Sequence, residues 1–320
     1  MSVTVGLPAQ AWYDDLCSCL QVDLAAVLDA HGWDGLQAVG AGWRFGLGTV
    51  DFEPVEYFHP AGPRAFLRHH PVHVQWHHPE DRVAAHDTIL EALSSGIRPI
   101  VAVDNYHLPF RPAYRDVHAG HLIVVEGFDP VRESFAVHDP MPPAYRGILP
   151  RAILENARES PNPDDGSDPF FAGTSPAWRW LEVRPEGEQP ELTWPWLRDV
   201  ILDNLRDNGL AEFQALLDDL DTEDLHRLYV IGWPAQAEAS VHAQFLARAA
   251  QRLQRPALAE AARWVDLVAS AWTGVRIAAA HAPADPAAGL ARVVRNGHTL
   301  VRHWQAALQR LETATRGGAR

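Results

Sequence analysis

The sequence predicts an α+β fold followed by a mostly α-helical domain. Three observations lead there: a helical apolar repeat directly after Cys19, β-branched runs around Ile100–Val103 and Leu122–Val125, and helical periodicity from Trp194 onward. With 320 residues and 47% hydrophobic content the chain can bury a sizeable core, and its length suits one large or two ordinary domains. Two are expected, residues 1–185 and residues 191–320. The division falls at Pro185-Glu186-Gly187-Glu188-Gln189-Pro190, where proline, glycine and charge gather.

The elements follow in order. Apolar Leu20, Leu24, Val27 and Leu28 stand at helical spacing, and Gly32 suits the position just past a helix end. Trp43-Arg44-Phe45-Gly46 reads as a loop or short strand, and His73-Val74-Gln75-Trp76 as a strand. A helix is expected over Ala84–Leu93, ending near Gly96, before the strand Arg98–Val103. His121 opens the strand Leu122–Val125, closed by Gly127 and Asp129, and Phe135-Ala136-Val137-His138 is the next. Ala177–Val183 supplies one more strand. Beyond it, helices are expected over Leu197–Leu205, Ala211–Leu220, Ala239–Leu253, Ala257–Ala280 and Ala288–Leu311, with breaks near Gly209, Gly232-Trp233-Pro234 and His281-Ala282-Pro283.

Chemistry concentrates in the N-terminal part. A thiol attacks as thiolate, so it needs an imidazole to take its proton, and the imidazole needs a third group to fix its tautomer. Cys19, His121 and Asp139 occur in that order. Cys19 begins its helix, where the dipole is expected to lower the thiol pKa. If the strands after His121 and before Asp139 pair as a hairpin, the two side chains share one sheet edge, about 4.8 Å apart. Taken singly, a lone Cys is usually a small hydrophobe, a His before a strand a cap, and His-Asp-Pro a turn. In this order the three point to acyl chemistry through a thioester.

Two alternatives stand beside this set. Cys17 is a second thiol, and His118 lies three residues before His121, although the strand start favours the latter. Cys17 and Cys19 are too close for an ordinary disulfide and too few for a zinc site. Of the 17 histidines, many crowd into His69–His78, but that Pro-interrupted stretch gives no converging ligand face, so no metal is expected.

The net charge of −14 and the lack of a basic cluster interleaved with aromatics disfavour general nucleic-acid binding. Every basic residue is Arg. The opening Met1-Ser2-Val3-Thr4-Val5 shows no charged n-region before an apolar run, and no window approaches the roughly 20 apolar residues of a membrane span. A cytoplasmic protein is expected.

The segments Cys19–Gly32, Phe45-Gly46-Leu47-Gly48 and Val103-Asp104-Asn105-Tyr106-His107-Leu108-Pro109-Phe110, followed by Tyr114, His118 and His121, resemble the N-terminal module of the butirosin biosynthesis protein H family. Val241–Ala250 is similar to a helix of that family's second module. The Cys, His and Asp order is also similar to the peptidase domains of bacteriocin exporters. The resemblance implies a papain-like cysteine-peptidase/acyltransferase fold over residues 1–185. It also implies an enzyme that takes an acyl group from the phosphopantetheine thioester of an acyl or peptidyl carrier protein and passes it to a small-molecule acceptor, in natural-product assembly. Cys19 would be the nucleophile, His121 the base and Asp139 the orienting carboxylate, with no tightly bound cofactor.

The peptidase relatives place a Gln six residues before the Cys, but Tyr13 stands there and the nearest upstream Gln is Gln10, so the oxyanion hole is unassigned. Carrier proteins are acidic, so docking on this acidic chain would need an Arg patch, for which Arg64, Arg68, Arg82, Arg98, Arg111 and Arg115 are candidates. A cysteine hydrolase or cyclase, and a non-catalytic carrier-binding scaffold, are the rival readings.

Overall fold

A computed structural model describes residues 17–46, 66–164, 166, 173–282 and 285–316. Leu47 and Gly48, Arg64, Gln10 and Tyr13 lie outside the described residues, so the second half of the Phe-Gly-Leu-Gly motif is not placed. In chain order come α1 (Cys19–Ala30), α2 (Gly35–Gly40), β1 (Val72–His77), α3 (Arg82–Ser94), β2 (Ile100–Asp104), a 3₁₀ turn at Asn105–His107, β3 (Gly120–Asp129), β4 (Ser134–Asp139), β5 (Tyr145–Pro150), α4 (Arg151–Glu159) and β6 (Trp180–Pro185). Five helices follow: α5 (Trp194–Arg206), α6 (Leu210–Asp218), α7 (Asp224–Arg252), α8 (Pro256–Ala280) and α9 (Pro286–Arg316).

The strands form one antiparallel sheet in the order β1-β6-β2-β3-β4-β5. With the helices around it, this is the expected α+β class. Because side chains alternate across a strand, the apolar runs of β2 and β3 serve two cores at once. Ile100, Ala102, Leu122 and Val124 face α1 and the C-terminal helices, while Val101, Val103, Ile123 and Val125 pack with Ile89 and Ala92 of α3 and Leu154 and Ala157 of α4.

Local rules explain the helix ends. After α1, Gly32 takes φ +81°, the Trp33 N–H reaches back to Leu28 O (3.1 Å) and the Gly32 N–H to Asp29 O (3.0 Å). This is a Schellman closure. Gly96 does the same after α3 at φ +77°.

The expected break at Gly232-Trp233-Pro234 is corrected: α7 runs through it, with Pro234 inside the helix. An interior proline costs about 3 kcal/mol, but here α7 lies tightly against α8, and a Cβ on Gly232 would come 2.8 Å from Arg276 Cγ. Burial against α8 offsets the lost hydrogen bond.

The segment Trp43–Phe45 is a loop that anchors α1 and α2 to the helices. Phe45 stacks near Trp272 (ring centroids 5.5 Å apart) and meets Phe213 edge-on (5.8 Å). Asn204 of α5 accepts the Trp43 N–H and donates to Ala41 O, and His242 Nδ1 bonds Gly40 O at 2.7 Å. One apolar core therefore runs from α1 through this loop into α5–α9. Among the described residues no helix is long and apolar enough to cross a membrane.

Candidate active site

Ser18 sets the start of α1. Its side chain accepts the Gln21 N–H, and Gln21 Oε1 accepts the Ser18 N–H, a capping box that makes Cys19 the first helical residue. Cys19 is thus held at the end of α1 that packs on β3, and the Leu122 backbone amide hydrogen-bonds its sulfur. Leu122 is the residue after His121.

The hairpin brings the other two residues to each other. Val124 pairs with His138, so Asp139 stands diagonally from His121 across the β3–β4 ladder. His121 Nε2 lies 2.9 Å from Asp139 Oδ2. Arg111 Nη1 donates to the same oxygen at 3.2 Å and to Met141 O at 3.0 Å, while the Met141 N–H donates to Oδ1 at 3.0 Å. With these donors converging on it, Asp139 is the acceptor, the imidazole proton sits on Nε2, and Nδ1 is the nitrogen not engaged by the carboxylate.

The expected lowering of the Cys19 thiol pKa is corrected. Burial pushes it up to about 12, with the charges of Asp23 and Asp139 adding to the rise, and the amides of Leu122 and Leu20 opposing it more weakly. The helix start is there, but desolvation outweighs it. Cys17 is also buried, ahead of the helix, and neither cysteine forms a disulfide.

Two residues beside these were not assigned to the site from the sequence. Asp23, one turn along α1 from Cys19, is fully buried, and neither carboxylate oxygen has a hydrogen-bond partner. Its i+4 spacing from Cys19, on a face otherwise apolar, was the available signal. Arg111, expected as a surface docking residue, is instead an inner partner of Asp139. Of the other arginines proposed for docking, Arg68 is paired with Asp203 and Arg82 with Glu159. His118, the alternative base, is bound to a different carboxylate, Asp104. Among the described residues no group of three or more His, Cys, Asp or Glu side chains is arranged to hold a metal ion.

Burial holds the Asp23 carboxyl well above the ordinary carboxylate range, the Asp139 charge adds to this, and Arg111 opposes it. A carboxyl raised in the folded state contributes stability that is complete below its unfolded pKa of about 3.9 and is lost as pH rises through the folded pKa. Asp23→Asn removes that loss. The variant is expected to be more stable than the parent by about 1–3 kcal/mol at neutral to alkaline pH, with the gain vanishing toward pH 4. Urea denaturation at both ends of this range checks it, and a variant no more stable at pH 8 than the parent would contradict it.

Residues 18–140 match the family model described as butirosin biosynthesis protein H, N-terminal. Residues 18–140 are therefore similar to butirosin biosynthesis protein H. No curated protein matches the chain. Cys19, Asp23, Arg111, His121 and Asp139 all fall inside this butirosin biosynthesis protein H-like segment, which ends one residue beyond Asp139. It stops short of β5, β6 and the C-terminal helices, so the resemblance noted at Val241–Ala250 lies outside the matched residues.

Proposed function

We propose that the chain is a cysteine-dependent acyltransferase of natural-product biosynthesis, working through a Cys19 acyl-enzyme on a papain-like module of residues 1–185. The observation that carries this reading is the buried His121–Asp139 pair at the end of the β3–β4 hairpin, one residue from the amide that contacts the Cys19 sulfur. The helical part, residues 191–320, then braces α1 from behind through Trp43 and Phe45.

In the first half-reaction His121 Nδ1 takes the thiol proton as sulfur attacks the carbonyl of an acyl thioester. Asp139 holds the ring and supports the imidazolium that forms. Collapse expels the donor thiolate, which takes the proton back from His121, leaving acyl-Cys19 and a free thiol. In the second half an acceptor nucleophile attacks the Cys19 thioester, and the same imidazole relays its proton to the departing cysteine sulfur. A thiol near pKa 12 suits this concerted transfer: in the resting site it is protonated and protected from casual oxidation, and it becomes nucleophilic only as His121 removes its proton.

The donor in this reading is the phosphopantetheine arm of an acyl or peptidyl carrier protein, and the acceptor a small molecule. Hydrolysis or cyclisation differs only in the second nucleophile. The test is incubation with a panel of acyl-pantetheine and acyl-carrier thioesters followed by intact-mass measurement. A mass gain equal to the acyl group, removed by an added amine, is expected; loss of the adduct to water alone makes the protein a hydrolase, and binding without any adduct makes it a scaffold.

A further inference from the structure

The loop from β2 to β3 carries a cation that the mechanism above does not use. Of the described arginines considered for docking, Arg68, Arg82 and Arg111 are taken up by carboxylates, and Arg98 precedes β2, at the end of that strand away from the Asp104–Gly120 pairing. Arg115 is different. It is exposed, and among the described residues it pairs with no carboxylate. Its guanidinium lies over the Tyr114 ring, 5.0 Å from the centroid. A guanidinium stacked in this way is held by its face and keeps the N–H groups at its rim free to donate.

The backbone at Arg115 is unusual as well. Its φ is +57°, a left-handed conformation for which glycine or asparagine is the ordinary choice. The turn holds it there: the Arg115 N–H donates to Tyr106 O (2.9 Å), and the Tyr114 and Val117 N–H groups close back on Arg111 O and Ala113 O (3.1 Å each). An arginine kept where glycine would relieve the strain points to work for its side chain.

Contacts bound where this cation stands. Arg115 is one turn of chain from Arg111, whose Nη1 is 3.2 Å from Asp139 Oδ2, and that oxygen is 2.9 Å from His121 Nε2. At full stretch the two arginine side chains and the turn between them span roughly 20 Å, so the Arg115 guanidinium lies no farther than that from Asp139. A pantetheine arm is as long as five or six extended residues, roughly 18–20 Å. With its thioester at Cys19, the phosphate at its root falls within reach of Arg115.

Resting on the acyltransferase reading above, we propose that Arg115 is the binding residue for the phosphodiester that joins the pantetheine arm to its carrier protein. That phosphate keeps its charge and its distance from the thioester whatever the acyl group, so one placed cation reads every donor alike. An arginine suits it, since two parallel N–H groups meet two phosphate oxygens. The assignment also answers the charge conflict between an acidic carrier and a chain of net charge −14. Attraction is then needed at one point on the entry path, not over a basic surface.

The test compares butyryl-pantetheine with butyryl-phosphopantetheine, which differ only in the phosphate, as donors in single-turnover acylation read by intact mass across a concentration series. The parent is expected to be half-saturated by the phosphorylated donor at about tenfold lower concentration. In Arg115→Gln and in Arg115→Gly the two donors should come to near parity. Arg115→Gly guards against misfolding, because glycine accepts the positive φ without strain. Added salt should shrink the parent's preference.

A parent that takes both donors with equal affinity, or a phosphate preference that survives in both variants, would overturn the assignment of Arg115. So would a loss of affinity that is the same for both donors. In each of those cases the Cys19 adduct still forms and the acyltransferase reading stands. A parent that forms no acyl-enzyme with either donor removes that reading, and this inference with it.

Discussion

Cys19→Ala is expected to lower acyl-enzyme formation on the order of 10⁴–10⁶-fold in the single-turnover rate, because it removes the sulfur that carries the acyl chain. Cys17→Ser should retain labelling. The two thiols are both buried, so accessibility does not separate them. Position does: Cys19 is the first helical residue after the Ser18 cap, its sulfur meets the Leu122 amide, and it feels the Asp139 charge. Intact mass after exposure to an acyl-pantetheine, read in both single variants, checks the assignment. Labelling that survives in Cys19→Ala and disappears in Cys17→Ser would transfer the role to Cys17.

Much of this arrangement was legible because it rests on local rules. The α1 period, the glycine that closes the helix and the apolar runs of β2 and β3 are short-range signals, and a hairpin between β3 and β4 was enough to bring His121 to Asp139. The elements that escaped are those with weak local patterns. β5 is an edge strand with Gly147 in its middle and Ile148 exposed, α4 opens directly after Pro150 with a polar sequence, and α2 has six residues including two glycines. What the sequence could not carry is burial by distant residues. That is why Asp23 was not singled out, why Arg111 was placed among the docking residues, and why the dipole argument for the Cys19 thiol gave the wrong direction. Each depends on what packs over α1, which no neighbour in the chain reports.

The elevated thiol pKa also decides how the base can be tested. With a thiol near pKa 12, the fraction present as thiolate at pH 7 is about 10⁻⁵, so a variant lacking the base must wait for spontaneous ionisation. His121→Ala is therefore expected to acylate about 10²–10⁴-fold more slowly at neutral pH. It should recover about tenfold for each unit of pH, with no plateau before strongly alkaline conditions, because thiolate rises in that proportion below the thiol pKa. Had the thiol kept an ordinary pKa of about 8.5 the recovery would level off near pH 9. Asp139→Asn keeps a hydrogen-bonding group beside Nε2 but an amide does not select the tautomer as a carboxylate does, so its loss is expected to be smaller than that of His121→Ala and less steep in pH. It also frees Arg111 from its ion pair and takes one negative charge from beside the sulfur, which lowers the thiol pKa and offsets part of the damage. Single-turnover acylation rates of the two variants between pH 7 and pH 10 separate these effects, and a His121→Ala rate equal to that of the parent at pH 7 would remove His121 from the mechanism.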